Sequence, residues 1–172
     1  IREFILFLVP KKLKLILRMQ GANETHEFYK QELALRNNSY SQEGEDLVLL
    51  RYLGEKKNGV YVDVGAHHPK RFSNTYMFYC LGWRGINIDP LPGGMRDFDR
   101  LRSEDTNLEM GVAGATGELN YYMFNEPALN TFDSEEAEKK HALLGVELIE
   151  KKKVPTRPLQ DILSDYLTNE KM

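Results

Sequence analysis

Short apolar runs and segments with helical spacing alternate from residue 39 onward. Residues 60–64 are nearly all apolar, residues 74–81 have helical spacing after Ser73, and residues 85–88 form a second apolar run. A strand, a helix and a strand in this order predict a right-handed crossover and parallel pairing. Because residues 60–64 carry few polar side chains, we expect this strand to be buried on both faces at the centre of the sheet.

The same pattern predicts elements on both sides of this unit. A helix is expected to run to Leu53, capped by Ser39 or Ser41, and Gly54 follows it. Asp133 and Glu136 have the spacing of a capping box, which predicts a helix that ends at Gly145. The other predicted elements are a helix at 95–102, a strand at 107–111, a more exposed strand at 118–124, a charged edge strand at 146–154 and a helix at 159–167.

A crevice is predicted where the first two strands end. Parallel pairing places the loop after Gly65 and the loop after Asp89 at the same sheet edge, where a carboxylate can hold a ribose diol. After Gly65 the chain continues Ala66-His67-His68-Pro69, so the later glycines that let a backbone approach a pyrophosphate are missing. The predicted ligand therefore contains a ribose and no phosphate.

Composition narrows the class of protein. A chain of 172 residues with 41% apolar content is long enough for one domain with a core. Its 23 basic and 26 acidic residues give a net charge of −3, which argues against nucleic acid as a partner. The single cysteine, Cys80, excludes an internal disulfide framework and favours the reducing cytoplasm.

Residues 1–38 differ from the rest and are interpreted as a basic, apolar N-terminal helical segment. Residues 1–20 contain five basic residues and one acidic residue, and the apolar run 4–9 is far shorter than the roughly 20 residues that span a bilayer. Two interpretations stay open, a segment in peripheral contact with a membrane and a helix packed on its own domain. Because the chain begins at Ile1, we expect it to be a piece of a longer protein.

Four short motifs occur in order and resemble one family. They are Tyr-Ser-Gln-Glu-Gly-Glu-Asp at 40–46, Val-Asp-Val-Gly-Ala-His at 62–67, Ser-Asn-Thr-Tyr at 73–76 and Gly-Trp-Arg-Gly at 82–85. From about Tyr40 to Asp133 the chain is similar to FkbM-type methyltransferases. The resemblance implies an α/β fold, the Rossmann-like three-layer sandwich of class I methyltransferases, which use S-adenosyl-L-methionine and usually methylate a hydroxyl oxygen.

The resemblance also implies site residues. By position, Asp63 and Gly65 would lie beside the methionine part of the cofactor, and Asp89 would accept hydrogen bonds from its ribose. Val112 and Ala113 would face the adenine. The predicted cofactor-binding set is completed by Gln42, Ala66, Asn74 and Pro90. S-adenosylmethionine carries a nucleoside and no phosphate, which agrees with the missing glycines.

His67 is the candidate base for removing the acceptor's hydroxyl proton, because imidazole titrates near neutrality. Two alternatives are open. His67 and His68 could bind a metal, although no third ligand is evident, or the pair could bond to the backbone of a turn shaped by Pro69. No metal site is predicted. Trp83 and the aromatic side chains around it are interpreted as core.

The family pattern continues beyond the position of the last predicted helix. Family members add a further strand there and complete a seven-stranded sheet, so residues 39–172 are interpreted as the N-terminal part of the domain, truncated before the later strands. We expect weak turnover from such a piece. The predicted acceptor is a glycan or another hydroxylated small metabolite. The alternatives are a nucleotide-sugar or NAD oxidoreductase, which would need a phosphate loop, and a non-catalytic binding module.

Overall fold

The computed structural model describes residues 39–53, 56 and 58–167. The predicted N-terminal segment 1–38, with its membrane interpretation, lies outside these residues. The elements in chain order are α1 (Glu45–Leu53), β1 (Val60–Val64), α2 (Tyr76–Cys80), β2 (Arg84–Ile88), α3 (Met95–Leu101), β3 (Thr106–Leu108), β4 (Gly111–Val112), β5 (Gly117–Phe124), a 3-10 helix (Pro127–Leu129), α4 (Ser134–His141), β6 (Leu148–Arg157) and α5 (Leu159–Leu167).

The first sheet is parallel and has the order β1-β2-β3. Val62 pairs with Ile86, and Ile86 pairs in turn with Thr106, so the predicted crossover is confirmed. The predicted central position of residues 60–64 is wrong for the described part of the chain. There β1 has one neighbour, and its end residues Val60 and Val64 are each 51% exposed. The central, buried strand is β2.

The second sheet has the order β4-β6-β5, with β4 parallel and β5 antiparallel to β6. The predicted strand at 107–111 is divided, because β3 ends at Leu108 and β4 joins the other sheet. A Cβ atom on Gly111 would come within 2.5 Å of the Phe132 ring, so the missing side chain permits this close approach. Residues 148–154 of β6 pair only with β5 in the described part of the chain, so the predicted edge position of residues 146–154 is confirmed there. Strand β4 pairs further along β6, with Thr156 and Arg157.

The two faces of the first sheet differ in chemistry because successive strand residues point to opposite faces. One face contributes Ile86, Ile88 and Leu108 to an apolar core closed by Ile162 of α5. The opposite face carries polar side chains and packs toward α2 and α3. Helix α5 has the predicted bounds, as expected for a helix with one strongly apolar face.

Four helices deviate from prediction at their ends, and of these α3 differs least, ending at Leu101 and not at residue 102. Helix α1 begins at Glu45, and the predicted cap by Ser41 is present, because Ser41 Oγ accepts from the backbone N–H of Asp46 at 3.3 Å. Ser39 and Ser41 also donate to the Asp46 carboxylate, at 2.6 and 2.8 Å. Helix α2 begins two residues late, although Ser73 Oγ accepts from the backbone N–H of Tyr76.

Helix α4 shows half of the predicted capping box. The Asp133 carboxylate accepts from the backbone of Glu135 and Glu136, whereas the Glu136 side chain pairs with Lys139. The helix ends at His141 and not at the predicted Gly145. Within the described ranges, no helix is long and apolar enough to cross a bilayer.

Candidate active site

A cavity of about 520 Å³ opens at the carboxyl ends of β1 and β2. One side is formed by the loops that follow these strands, and the other by the second sheet and the segment around the 3-10 helix. Residues from both sides that matter for its chemistry are Gly65, His67, Asp89, Val112, Tyr121 and Phe132. The predicted crevice is therefore present, with a wall that the strand–helix–strand pattern did not predict.

The loops after β1 and β2 are bonded to each other. The carbonyl oxygen of Ile88 accepts from the backbone N–H groups of Gly65 and Ala66, at 2.8 and 3.1 Å. Gly65 has φ +76°, a backbone conformation that favours glycine. The Asp89 carboxylate accepts from the backbone N–H of His67 at 2.9 Å and from that of Leu91 at 2.9 Å. These bonds hold Asp89 at the cavity wall.

Asp89 retains capacity to bind a ligand. A carboxylate has about four lone-pair sites, and the bonds from His67 and Leu91 occupy one site on each oxygen. The residue is 6% exposed and lines the cavity. Further donors from a ligand can therefore reach a carboxylate whose orientation the loops already fix.

Five of the predicted site residues line the cavity and five do not. Those in its wall are Gly65, His67, Asp89, Pro90 and Val112. The remaining five are Gln42, Asp63, Ala66, Asn74 and Ala113.

Each residue outside the wall has identifiable surroundings. Gln42 and Asn74 lie in exposed bends ahead of α1 and α2. Ala66 is buried in a small core with Met95 and Phe98. The backbone N–H of Ala113 donates to the carbonyl oxygen of Arg157, next to the pairing of β4 with β6.

Asp63 belongs to a different environment. Its carboxylate accepts a hydrogen bond from Thr75 Oγ1 at 2.6 Å. Burial raises the pKa of Asp63, although the Thr75 hydroxyl and the charge of Arg102 act in the opposite direction. The side chain lies on the helix-covered face of the first sheet, and Asp63 is not part of the cavity wall.

The two adjacent histidines differ in what their rings contact. His68 Nδ1 accepts from the backbone N–H groups of Lys70 and Arg71, at 3.0 and 2.9 Å, as the turn interpretation expects. His67 Nε2 is buried and has no hydrogen-bond partner in the described part of the chain. The described residues also contain no group of three or more potential metal ligands.

The electrostatic surroundings keep His67 neutral. Burial lowers the pKa of the His67 imidazole, and the charge of Arg71 lowers it further, while Asp89 and Glu126 act in the opposite direction. The backbone of His67 has φ +55°, which is uncommon for a residue with a side chain. A neutral imidazole with an unpartnered nitrogen is therefore present at the cavity wall.

The wall from the second sheet was missed by the sequence reasoning. Tyr121 of β5 lies in it, and burial together with the negative charge of Asp89 raises the pKa of Tyr121 to about 12. Tyr121 thus keeps its hydroxyl proton at neutral pH. The alternating pattern at 118–124 signalled a strand. It did not indicate which residues face the first sheet, because β5 is positioned by pairing with the distant β6.

A buried ion pair beneath the first sheet was also missed. Arg102 and Asp105 have fully buried side chains, and Arg102 Nε lies 2.9 Å from Asp105 Oδ2. Arg102 also donates to the Tyr61 hydroxyl at 2.7 Å and to Thr75 Oγ1 at 3.0 Å. Asn87 Nδ2 donates to the same Asp105 oxygen at 3.0 Å. These five residues are called the polar network below.

Comparison with known proteins supplies the family. No curated protein and no solved structure gave a significant match. The sequence model of one family, described as the methyltransferase FkbM domain, matches residues 63–171, which is more than half of the chain. The match begins after the motif at 40–46 and extends well beyond Asp133. Together with the α/β architecture and its parallel sheet, this match shows that the chain belongs to the FkbM methyltransferase domain family.

Proposed function

We propose that this domain uses S-adenosylmethionine to methylate a hydroxyl oxygen of a glycan or another hydroxylated small metabolite. The observation that carries the proposal is the position of Asp89. A buried carboxylate lines a cavity at the carboxyl edge of a parallel sheet, beside a loop that lacks the glycines of a phosphate site. This combination suits a nucleoside ligand without phosphate.

The residues present fit such a cofactor. A cavity of about 520 Å³ lies within the range of roughly 300–1,000 Å³ that is common for small-molecule sites. Asp89 would hold the ribose hydroxyls through its remaining acceptor sites. Val112 and Pro90 would form an apolar wall against the nucleobase. Gly65 has no side chain and leaves space for the methionine part of the cofactor.

Methyl transfer from this cofactor requires few catalytic groups from the protein. When bound, the cofactor supplies a methyl group that its sulfonium already activates. The residues of the chain then have to orient the acceptor and accept its hydroxyl proton. His67 is our candidate for the second task, because it lines the cavity and its lowered pKa keeps it unprotonated at neutral pH. The lowered pKa raises the fraction of molecules that are ready to accept a proton. The Nε2 of His67 has no partner within the described residues but is shielded from solvent, so the imidazole would have to turn to meet the acceptor.

Titration calorimetry with S-adenosylhomocysteine tests cofactor binding. We expect micromolar binding by the wild type and its loss in Ala128→Trp, because Ala128 is exposed and its new side chain would fill the cavity. Ala142→Trp is the matched control, because Ala142 is exposed and lies outside the cavity wall, and it should bind like the wild type. Binding of NAD in preference to S-adenosylhomocysteine would support the oxidoreductase alternative, and binding of neither would overturn both.

The variant His67→Asn tests the proton acceptor separately from binding. Asparagine tolerates a positive φ better than most residues, so the loop should keep its shape. We expect S-adenosylhomocysteine affinity within about twofold of the wild type and a loss of roughly 10²–10⁴ in methyl transfer, measured on any acceptor that the wild type methylates. Unchanged turnover would remove His67 from the mechanism.

A further inference from the structure

An ion pair joins the two sides of the cavity. Arg71, in the loop after β1, pairs with Glu126, which precedes the 3-10 helix. Nη1 lies 3.3 Å from Oε1, and Nη2 lies 3.1 Å from Oε2. Two parallel contacts of this kind orient both groups better than a single contact does. Glu126 also accepts from the backbone N–H of Ala128 at 3.2 Å, so the same carboxylate holds the turn that forms part of the cavity wall.

Arg71 also contacts the Phe72 ring, which in turn stacks on His67. The guanidinium carbon of Arg71 lies 4.2 Å from the ring centroid of Phe72. The Phe72 and His67 rings are stacked, with centroids 6.0 Å apart and an angle of 18° between planes. Phe72 has φ +57°, and His67 has a positive φ as well. Such conformations persist where the surroundings hold them in place.

We propose that Arg71 and Glu126 are positioning residues. Through Phe72 they hold the His67 imidazole against the cavity and fix the distance between the two loops at its mouth. The proposal rests on the proposed function, since it assigns these residues to a cofactor cavity with His67 as proton acceptor. Both side chains are partly exposed, at 47% and 43%, so the pair can be altered without opening the core.

The position of His67 can be followed through its pKa, because charged groups surround the imidazole. The charged and titratable groups that face it are Arg71, His68, Asp89 and Glu126, of which Arg71 and His68 lower its pKa and the two acids raise it. Removing the charge of Arg71 raises the His67 pKa, and removing that of Glu126 lowers it. If the ion pair positions the loop, its loss should in addition expose the imidazole and raise the pKa, because burial is the largest cause of the lowered value.

The first experiment is an NMR titration of the His67 imidazole. Arg71→Gln is expected to raise its pKa, because the lost charge and the exposed ring act in the same direction. Arg71→Lys keeps the charge but loses the two parallel contacts, so it should raise the pKa by a smaller amount. Arg100→Gln is the matched control, since Arg100 forms an exposed ion pair with Asp97 on α3. It should leave the titration unchanged. A titration of Arg71→Lys that matches the wild type would show that only the charge of Arg71 acts on His67 and would overturn the proposal, as would the absence of a shift in Arg71→Gln.

The second experiment measures S-adenosylhomocysteine affinity by calorimetry in these variants and in Glu126→Gln. An exposed ion pair of typical strength predicts about a twofold to fivefold loss in Arg71→Gln and in Glu126→Gln, with no loss in Arg100→Gln. Affinities equal to the wild type in both glutamine variants would show that Arg71 and Glu126 do not fix the distance between the two loops at the cavity mouth. If the wild type fails to bind, the proposed function fails, and the titration still tests the ion pair by itself.

Discussion

Asp63 and Asp89 lie at or just after the ends of neighbouring strands, yet the structure gives them different surroundings. Asp63 faces the helices and bonds to Thr75 within reach of Arg102. Asp89 lies one residue beyond β2, bonds to the backbone of two loops and lines the cavity. Asp63 lies inside its strand and therefore beside the polar network. Asp89 lies just past the end of its strand and therefore at the cavity.

The difference follows from strand geometry. Within a strand, successive side chains point to opposite faces, so Asp63 shares a face with Tyr61 and not with Val62 or Val64. A residue beyond the strand is free of this alternation and lies where backbone N–H groups of the adjoining loops are available. We infer that Asp63 belongs to the buried polar face of the first sheet and takes no part in the ligand site, and that Asp89 binds the ligand. The predictions below first test how buried polar groups stabilise the fold, and the last measurement compares the two acids directly.

The largest effect is expected from Arg102→Met. This change leaves Asp105 as a buried carboxylate without its cation, and removes a donor from Tyr61 and Thr75. Breaking a buried pair in this way costs about 3–5 kcal/mol of the free energy of unfolding. Urea unfolding followed by circular dichroism measures it. Arg100→Met changes an exposed arginine in the last turn of α3 and should cost about 0.5 kcal/mol or less. Equal losses would mean that the polar network does not stabilise the fold.

Asp46→Asn comes next and concerns another fully buried carboxylate. Four groups donate to Asp46, namely the backbone N–H groups of Tyr40 and Leu47 and the hydroxyls of Ser39 and Ser41. An asparagine turns an NH₂ group toward some of these donors, which predicts a loss of about 1–3 kcal/mol in urea unfolding. A loss below the error of the measurement would contradict this.

The pH dependence of Asp46 has a defined sign. Burial alone would raise its pKa, but the hydrogen bonds outweigh it and hold the pKa below the ordinary 3.8. Its contribution is therefore fully present above pH 3.8 and is lost as the pH falls through the lower folded pKa. Unfolding of the wild type and of Asp46→Asn should differ less at pH 2 than at pH 7. A constant difference would refute the assignment.

The smallest effect is expected from Asp63→Asn. An asparagine can still accept from Thr75, and it removes a carboxylate whose pKa is raised by burial. Between pH 3.8 and the higher pKa of the folded state, Asp63 keeps its proton in the folded protein and loses it in the unfolded chain. The ionisation of Asp63 therefore lowers the free energy of unfolding as the pH rises through this range. At pH 7 the variant should be no less stable than the wild type, within about 1 kcal/mol. A clear loss of stability would show that the charge of Asp63 supports Arg102.

Much of the fold could be predicted from the chain because its elements are local. Helix α5 has the expected bounds, and the crossover from β1 to β2 follows from the order of apolar runs. The second sheet could not be assembled in this way, because β5 and β6 pair across about thirty residues. Strand β4 lies close to the Phe132 ring at Gly111, a contact between distant residues that no local pattern reveals.

The candidate site was predictable to a similar extent. Gly65 and Asp89 follow from strand ends and turn chemistry, and both line the cavity. The polar network could not be predicted from the sequence, because Tyr61 and Asn87 lie in mostly apolar strands and Arg102 directly follows a helix. The residues that share it meet only after the sheet has formed. Tyr121 was hidden for the same reason, since its position depends on the pairing of β5 with β6.

The most direct test of the contrast between the two acids is the affinity for S-adenosylhomocysteine, measured by calorimetry in Asp63→Asn and Asp89→Asn beside the wild type. Removing a charged acceptor from a buried ligand contact costs about 1.5–3 kcal/mol, a loss of roughly tenfold or more. We expect that loss in Asp89→Asn and an affinity within about twofold of the wild type in Asp63→Asn. Equal losses in both variants, or a greater loss in Asp63→Asn, would contradict the account.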